Sequence, residues 1–150
     1  MWRMFSGLAI WVVASVALAA DAMTPAGLWK TIDDKTGQPR SFVRIVQMPA
    51  GYVGKVVKIL PLPDDDPNNP DHLCKACTDE RKDKPIVGMV ILRRLKPDGD
   101  VFAGGEILDP NNGKTYRCKL TVRDGGKRLD VRGFIGISMF GRTQSWMREE

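Results

Sequence analysis

The sequence predicts an all-β protein whose eight strands close into one up-and-down barrel. Short segments rich in β-branched and aromatic residues follow one another along the chain, and turn-forming residues separate them. All but one of the connections have hairpin length. Eight strands in this order close naturally, which removes the exposed edges that an open sheet must protect. A β-sandwich is the alternative architecture.

Each predicted strand follows from an apolar pattern that ends at glycine, proline, asparagine or aspartate. In the sixth segment, Tyr116 and Cys118 share one face while Arg117 and Lys119 share the other, as in a half-buried strand. The fourth segment is apolar on both faces, which predicts burial on both sides. In chain order the predicted strands are Gly27–Asp33, Ser41–Met48, Tyr52–Leu60, Ile86–Leu95, Val101–Leu108, Lys114–Val122, Arg128–Ile135 and Arg142–Arg148.

The first residues have the features of a secretory signal peptide. An arginine near the start precedes the apolar run Leu8–Leu18, and a small-x-small site ends at Ala19. The run is shorter than the roughly 20 residues that a membrane span needs. We therefore expect a signal peptide over residues 1–19, with cleavage after Ala22 as the alternative. One barrel domain would then occupy residues 20–150, in a periplasmic or secreted protein.

The charge pattern excludes some partners. The formal net charge is +5, but lysine and arginine are scattered among aspartate and glutamate. This arrangement is typical of a solvated surface and argues against a nucleic-acid site. No second apolar run of spanning length follows the first, so we expect no membrane-spanning segment after cleavage.

One long connection, Pro61–Pro85, interrupts the regular pattern. Its part Asp64–Asp71 is too rich in proline and asparagine for regular structure, whereas Thr78 could cap a helical turn or two over Thr78–Asp83. In up-and-down order, alternate connections lie at the same end of the barrel. The tight turns then form a floor at one end, and the long connection is expected to lie as a lid over the mouth at the other.

Two of the three cysteines lie in this lid, and we expect Cys74 and Cys77 to form a disulfide in an oxidising compartment. A bridge to Cys118 is the alternative. It would contribute roughly 4 kcal/mol by loop entropy against roughly 2 for the short loop, but it must align two distant segments. A structural staple fits better than a redox centre, because no thioredoxin-like βαβ pattern surrounds the pair. His72 and the two cysteines could bind zinc or copper only if both thiols were reduced, so no metal site is expected.

The candidate ligand-binding residues are polar or charged groups in the lid and near the mouth ends of the strands. Such groups can orient a polar ligand, although the charged run in the lid is also typical of an internally paired, solvated face. Hydrolysis needs two facing carboxylates or a nucleophile beside a base, and no motif supplies either. We therefore expect no catalytic residue and no cofactor, and lean away from an enzyme. The candidates are Asp79, Arg81, Lys84, Glu106, Tyr116, Arg142 and Gln144.

The segment Gly27-Leu-Trp29 resembles the Gly-x-Trp opening of lipocalin and calycin barrels, in which an arginine of the last strand covers the tryptophan. Arg148 or Arg142 would take this part through a cation–π contact worth about 0.5–2 kcal/mol. Arg148 fits the floor end better. The resemblance implies a structural role for Gly27, Trp29 and Arg148.

Four longer blocks resemble a bacterial exported family known only as domain of unknown function 2147. They are Gly27–Trp29, Cys74–Pro85, Gly104–Cys118 and Gly133–Arg142. The resemblance implies an envelope location and a lipocalin-like barrel. It brings no activity, substrate or catalytic residue with it.

Two functions fit this sequence. The first is binding of a small molecule at the lidded mouth, which the asymmetry between short and long connections favours. The alternative is an envelope interaction or maintenance module whose barrel is filled with side chains and takes no small ligand. An eight-stranded barrel can be either full or hollow, so the fold class does not decide between them.

Overall fold

The computed structural model describes residues 23–150, and the expected signal peptide lies outside them. The described part of the chain forms eight strands, each paired antiparallel with the next, and the last pairs with the first to close a barrel. The predicted fold class is confirmed. The strands are β1 (Gly27–Ile32), β2 (Pro39–Met48), β3 (Gly51–Ile59), β4 (Val90–Asp98), β5 (Val101–Asp109), β6 (Lys114–Arg123), β7 (Arg128–Phe134) and β8 (Gly141–Arg148).

Helical structure is limited to two 3₁₀ turns of three residues, Asp124–Gly126 after β6 and Ser138–Phe140 before β8, within residues 23–150. No helix in this range has the length and apolar character needed to cross a membrane. The helical turn or two predicted over Thr78–Asp83 is wrong, because that stretch forms turns. Asp83 has a φ of +59°, a left-handed conformation that an α-helix cannot continue through.

The largest error in strand position is at the start of β4, which begins at Val90 and not at Ile86. The intervening residues form a turn, closed by a 3.1 Å hydrogen bond from the Met89 amide to the Ile86 carbonyl. Gly88 has a φ of +91°, which breaks the extended conformation. The predicted burial of both faces holds further along, where the neighbours Ile91 and Leu92 are both buried.

The register of the strands separates an inner face from an outer face of the wall, because directly paired residues place their side chains on the same side. Cys118 is buried and pairs with Gly133, so both face the interior. Its neighbour Arg117 pairs with Glu106 on one side and Phe134 on the other. Arg117, Glu106 and Phe134 therefore lie on the outer face.

The floor half of the barrel, at the end with the tight turns, is filled with side chains. Tyr52 and Phe102 pack edge to face there, with ring centroids 5.3 Å apart. A side chain without accessible surface has no water-sized space beside it. Residues of this kind in the floor half are Trp29, Leu95, Leu120 and Leu129, with Trp146 almost as completely enclosed.

The seam that closes the barrel is short, since β1 and β8 pair only at Trp29–Arg148 and Lys30–Met147. The Arg148 guanidinium lies 4.2 Å from the centre of the Trp29 ring. It also donates hydrogen bonds to the carbonyls of Thr24 (2.9 Å) and Ala26 (2.7 Å), and to that of Gly126. Arg148, and not Arg142, therefore covers the tryptophan and clasps the seam.

Gly27 is needed for this clasp. Its φ is +141°, and a Cβ atom at this position would overlap the guanidinium of Arg148 and lie 2.9 Å from the Glu150 carbonyl oxygen. Trp29 is fixed from below, because its indole N–H donates a 2.8 Å hydrogen bond to the Pro25 carbonyl. Gly27, Trp29 and Arg148, the three residues expected to have a structural role, therefore lie in one contact network.

The long connection Pro61–Pro85, called the flap below, packs at the mouth end against the outside of the wall. Ile91 and Leu108 lie on the outer face but are only 6% and 2% exposed, so another segment covers them. The flap contacts the wall on both sides of this pair. The Cys74 sulfur lies 3.7 Å from the Pro110 carbonyl oxygen, and the Arg81 guanidinium donates a 3.0 Å hydrogen bond to the carbonyl of Val90.

The flap's contacts explain its position beside the mouth. The turn between β5 and β6 receives it at Gly113, where a Cβ atom would overlap the carbonyl of Ala76. At the other end of the flap, Asp65 pairs with Arg40 at 2.8 Å. The long connection was expected to lie as a lid over the mouth. In the structure it lies beside the mouth instead, along β2, β4 and β5.

The predicted disulfide is confirmed. Cys74 and Cys77 are bonded with an S–S distance of 1.98 Å, and both are buried within the flap. Cys118 is a free, buried thiol on the inner face of β6. Burial raises the pKa of the Cys118 thiol to about 12, so it is protonated and unreactive at neutral pH.

Candidate functional site at the barrel mouth

A chain of polar contacts leads from the buried floor to the open mouth. Gln144 pairs with Val131 and so faces inward, where its amide oxygen accepts a 3.1 Å hydrogen bond from the Trp146 indole. The Gln144 amide nitrogen donates to Asp34 at 2.9 Å. Arg142 lies 3.0 Å from the same Asp34 oxygen, with 69% of its side chain exposed. These contacts orient three polar side chains at the mouth.

Tyr116 extends this group across the neighbouring strands. Its hydroxyl hydrogen-bonds the side-chain amide of Asn112 at 2.9 Å. Its Cβ lies 3.5 Å from the position that a Cβ of Gly133 would occupy. Gly133 pairs with Arg142, so Tyr116 and Arg142 stand on either side of a stretch of wall that has no side chain. Between them, the inner face bears no side chain at Gly133.

The neighbouring strands β1 and β2 add two hydroxyl groups. Thr31 follows Trp29 by two residues on β1 and therefore shares its inward face. Its hydroxyl lies 2.7 Å from that of Ser41 on β2. We call the seven inward or rim-facing polar residues of this end the mouth cluster. They are Thr31, Asp34, Ser41, Asn112, Tyr116, Arg142 and Gln144.

Sequence reasoning found three members of the mouth cluster, Tyr116, Arg142 and Gln144. It missed the hydroxyl pair, although the two-residue spacing from Trp29 was a signal for Thr31. It also missed Asp34 and Asn112, which lie in segments recognised only as turns. Asp34 joins the cluster through a hydrogen bond from Gln144 of β8, which is more than a hundred residues away along the chain. Local sequence patterns do not reveal a contact of this kind.

The other candidates lie outside the barrel. Glu106 faces outward and pairs with Arg93 and, at 2.9 Å, with Arg94. The hydrogen bond to Glu106 raises the pKa of Arg93. Arg93 also lies 3.6 Å from Glu80 of the flap. Glu106 thus belongs to an ion-pair network between flap and wall.

Arg81 and Asp79 form a second pair within the flap, at 2.6 Å. Hydrogen bonds from the Arg81 side chain and amide lower the pKa of Asp79 to about 2. Lys84 lines a groove of about 340 Å³ between flap and wall, together with Arg81 and Arg93. The predicted site residues therefore separate into an inner group at the mouth and an outer group around the flap.

The geometry of the mouth cluster suits reversible recognition by hydrogen bonds. It combines a carboxylate, a guanidinium, amides and hydroxyls above an apolar, filled floor. Among residues 23–150, no group of three or more histidine, cysteine, aspartate or glutamate side chains is arranged to hold a metal ion.

A closed eight-stranded barrel with an arginine-covered tryptophan at its floor defines a lipocalin-like protein. In agreement with this class, the fold is similar to the solved structure of protein HP1028 from the human pathogen Helicobacter pylori, described as belonging to the lipocalin family. The TM-score is 0.68 at 18% sequence identity, over 85% of this chain and 84% of that one. The chain belongs to the family described as "Uncharacterized protein conserved in bacteria (DUF2147)", whose model matches residues 27–148. The comparison with curated proteins found no match.

Proposed function

We propose that this protein is exported and binds a small polar molecule in the mouth of its barrel. The observation on which the proposal depends is the mouth cluster, a set of inward-facing polar groups above a packed floor. Lipocalin-like barrels can hold one small ligand at this place. Export is supported by the signal-peptide features of residues 1–19 and by the Cys74–Cys77 disulfide, which suits an oxidising compartment.

The structure limits the kind of ligand that fits. The filled floor leaves no room for a long apolar chain running down the barrel axis, so the site is shallow. The mouth cluster offers both donors and acceptors, and a buried polar group that stays unpaired costs about 1–3 kcal/mol. The matching ligand is therefore a small molecule that presents hydrogen-bonding groups of both kinds to Asp34, Gln144 and Tyr116.

The packed floor also favours the second function, an envelope interaction module without a small ligand. In that case the mouth cluster would serve to orient the rim. The two functions differ in one observable, the presence of a molecule bound non-covalently to the purified barrel.

Native mass spectrometry of protein purified from its own cells tests the proposal. We expect a co-purified small molecule on the wild-type protein. A Gly133→Leu variant should lose it, because the new side chain adds bulk to the inner face beside Tyr116. Thr115→Leu adds the same side chain on the outer face of β6 and should retain the ligand. A ligand-free mass in every wild-type preparation contradicts small-molecule binding and favours the interaction module.

The same spectra test export separately. The mature protein should begin at Ala20, as shown by its intact mass. An envelope fraction that retains Met1 would contradict the signal peptide but leave ligand binding untouched.

A further inference from the structure

The connection between β7 and β8 exposes a group of large apolar side chains. Ile135, Ile137, Met139 and Phe140 are 69%, 59%, 75% and 73% exposed. Single exposed apolar residues are normal on protein surfaces, but four within six consecutive residues form a patch. We call residues 135–140 the apolar loop. Its composition is costly in water and indicates a surface that it contacts.

The apolar loop is held in this exposed shape by its backbone. Arg117 donates a 3.0 Å hydrogen bond to the Gly136 carbonyl. Arg132 donates to the Ser138 carbonyl at 2.6 Å and more weakly to that of Met139 at 3.4 Å. The polar backbone is thus turned toward the barrel wall, and the apolar side chains are left on the far side. The loop is preformed for contact with an apolar phase.

The base of the apolar loop is positively charged. Arg117 and Arg132 lie on the outer face of β6 and β7, directly under the loop. Lys119 lines the same groove as Ile137 and Ser138, and the cations there outnumber the carboxylate of Asp98. The loop thus has apolar side chains at its tip and positively charged side chains where it meets the barrel. This arrangement matches the boundary of a bilayer, where acyl chains lie beneath anionic headgroups.

We propose that the apolar loop docks this protein on the surface of a bilayer that contains anionic phospholipid. Met139 and Phe140 enter the acyl boundary, while Arg117, Lys119 and Arg132 lie at the depth of the phosphates. Charge complementarity selects this partner over an uncharged surface. Because the loop is one of the connections at the mouth end, docking brings the mouth cluster next to the membrane.

Co-sedimentation of the purified protein with vesicles tests the docking. We expect binding to vesicles of phosphatidylcholine with about a third phosphatidylglycerol, weaker binding as salt is raised, and at least a tenfold loss on pure phosphatidylcholine. The double variant Met139→Ser/Phe140→Ser should lose binding about tenfold or more. Lys119→Gln should lose about fivefold, the effect of one basic residue near an anionic surface.

Met48 provides a matched control. It is 50% exposed at the floor end of β2, so Met48→Ser repeats the Met139→Ser change far from the loop and should leave vesicle binding unchanged. Phe140→Trp gives an independent reading, since its fluorescence should shift to the blue on anionic vesicles if the loop inserts.

Three results would overturn the docking. The first is no partition of wild-type protein onto anionic vesicles. The second is equal partition of the wild type and the double variant while both remain folded by circular dichroism. The third is a stable dimer in light scattering that the double variant dissociates, because the loop would then contact a second copy of the chain.

Discussion

At the scale of single residues, Arg148 does most to join the two ends of the described barrel. It stacks on Trp29 and donates to three carbonyls on two segments, the stretch before β1 and the turn Asp124–Gly126. Removal from water lowers the pKa of this guanidinium, but the group stays charged at neutral pH. A lysine can keep the charge but not the planar, forked geometry.

We expect Arg148→Lys to lower the free energy of unfolding by about 2–4 kcal/mol, from the weakened cation–π contact and the carbonyls left without donors. Denaturant unfolding measures the change. Arg142→Lys is the control, and should cost less than about 1 kcal/mol because its pair with Asp34 is exposed. Equal losses in the two variants would show that Arg148 does not clasp the seam.

Glu106 shows why the sequence does not always predict which face of the barrel wall a side chain occupies. Simple alternation from Phe102, which packs on Tyr52 inside, places Glu106 inside as well. The structure has a register shift between Phe102 and Gly105, with Gly104 at a φ of +78°. One extra residue in the strand reverses the faces that follow it, so Glu106 points outward.

At the scale of elements, the strands could be predicted and the flap's place could not. Strands follow from short-range alternation and turn residues, as at the hairpin between Met48 and Gly51. The flap is positioned by contacts with distant strands, such as the one between Cys74 and Pro110. The disulfide could be predicted because its two cysteines are three residues apart.

The flap adds no strand to the closed ladder, so it should loosen without opening the barrel. We expect Cys74→Ser/Cys77→Ser to lose roughly 2 kcal/mol of stability. Amide hydrogen exchange should become faster in Pro61–Pro85, while protection of β6 stays nearly unchanged. Cys118→Ala is the control, and should leave exchange in the flap as it is. An equal loss of protection in the flap and in β6 would contradict this independence.

At the scale of the whole molecule, the barrel is divided into a packed floor and a polar mouth. We expect Leu129→Ala in the floor to cost about 2–5 kcal/mol, because it leaves a cavity among enclosed side chains. Arg142→Ala in the mouth should cost less than about 1 kcal/mol, because its pair with Asp34 is exposed. Thermal and denaturant unfolding of both variants measure the contrast, and similar losses would contradict the division.

This division makes the protein a scaffold whose mouth surface can change while its fold is kept. Substitutions at Tyr116 or Arg142 change the polar groups at the mouth, yet they replace none of the enclosed tryptophans and leucines of the floor. Substitutions at the mouth can therefore accumulate while the chain stays folded. For the same reason, a library of variants randomised at the mouth alone should consist mostly of folded proteins, and it would be a practical starting point for selecting new binders.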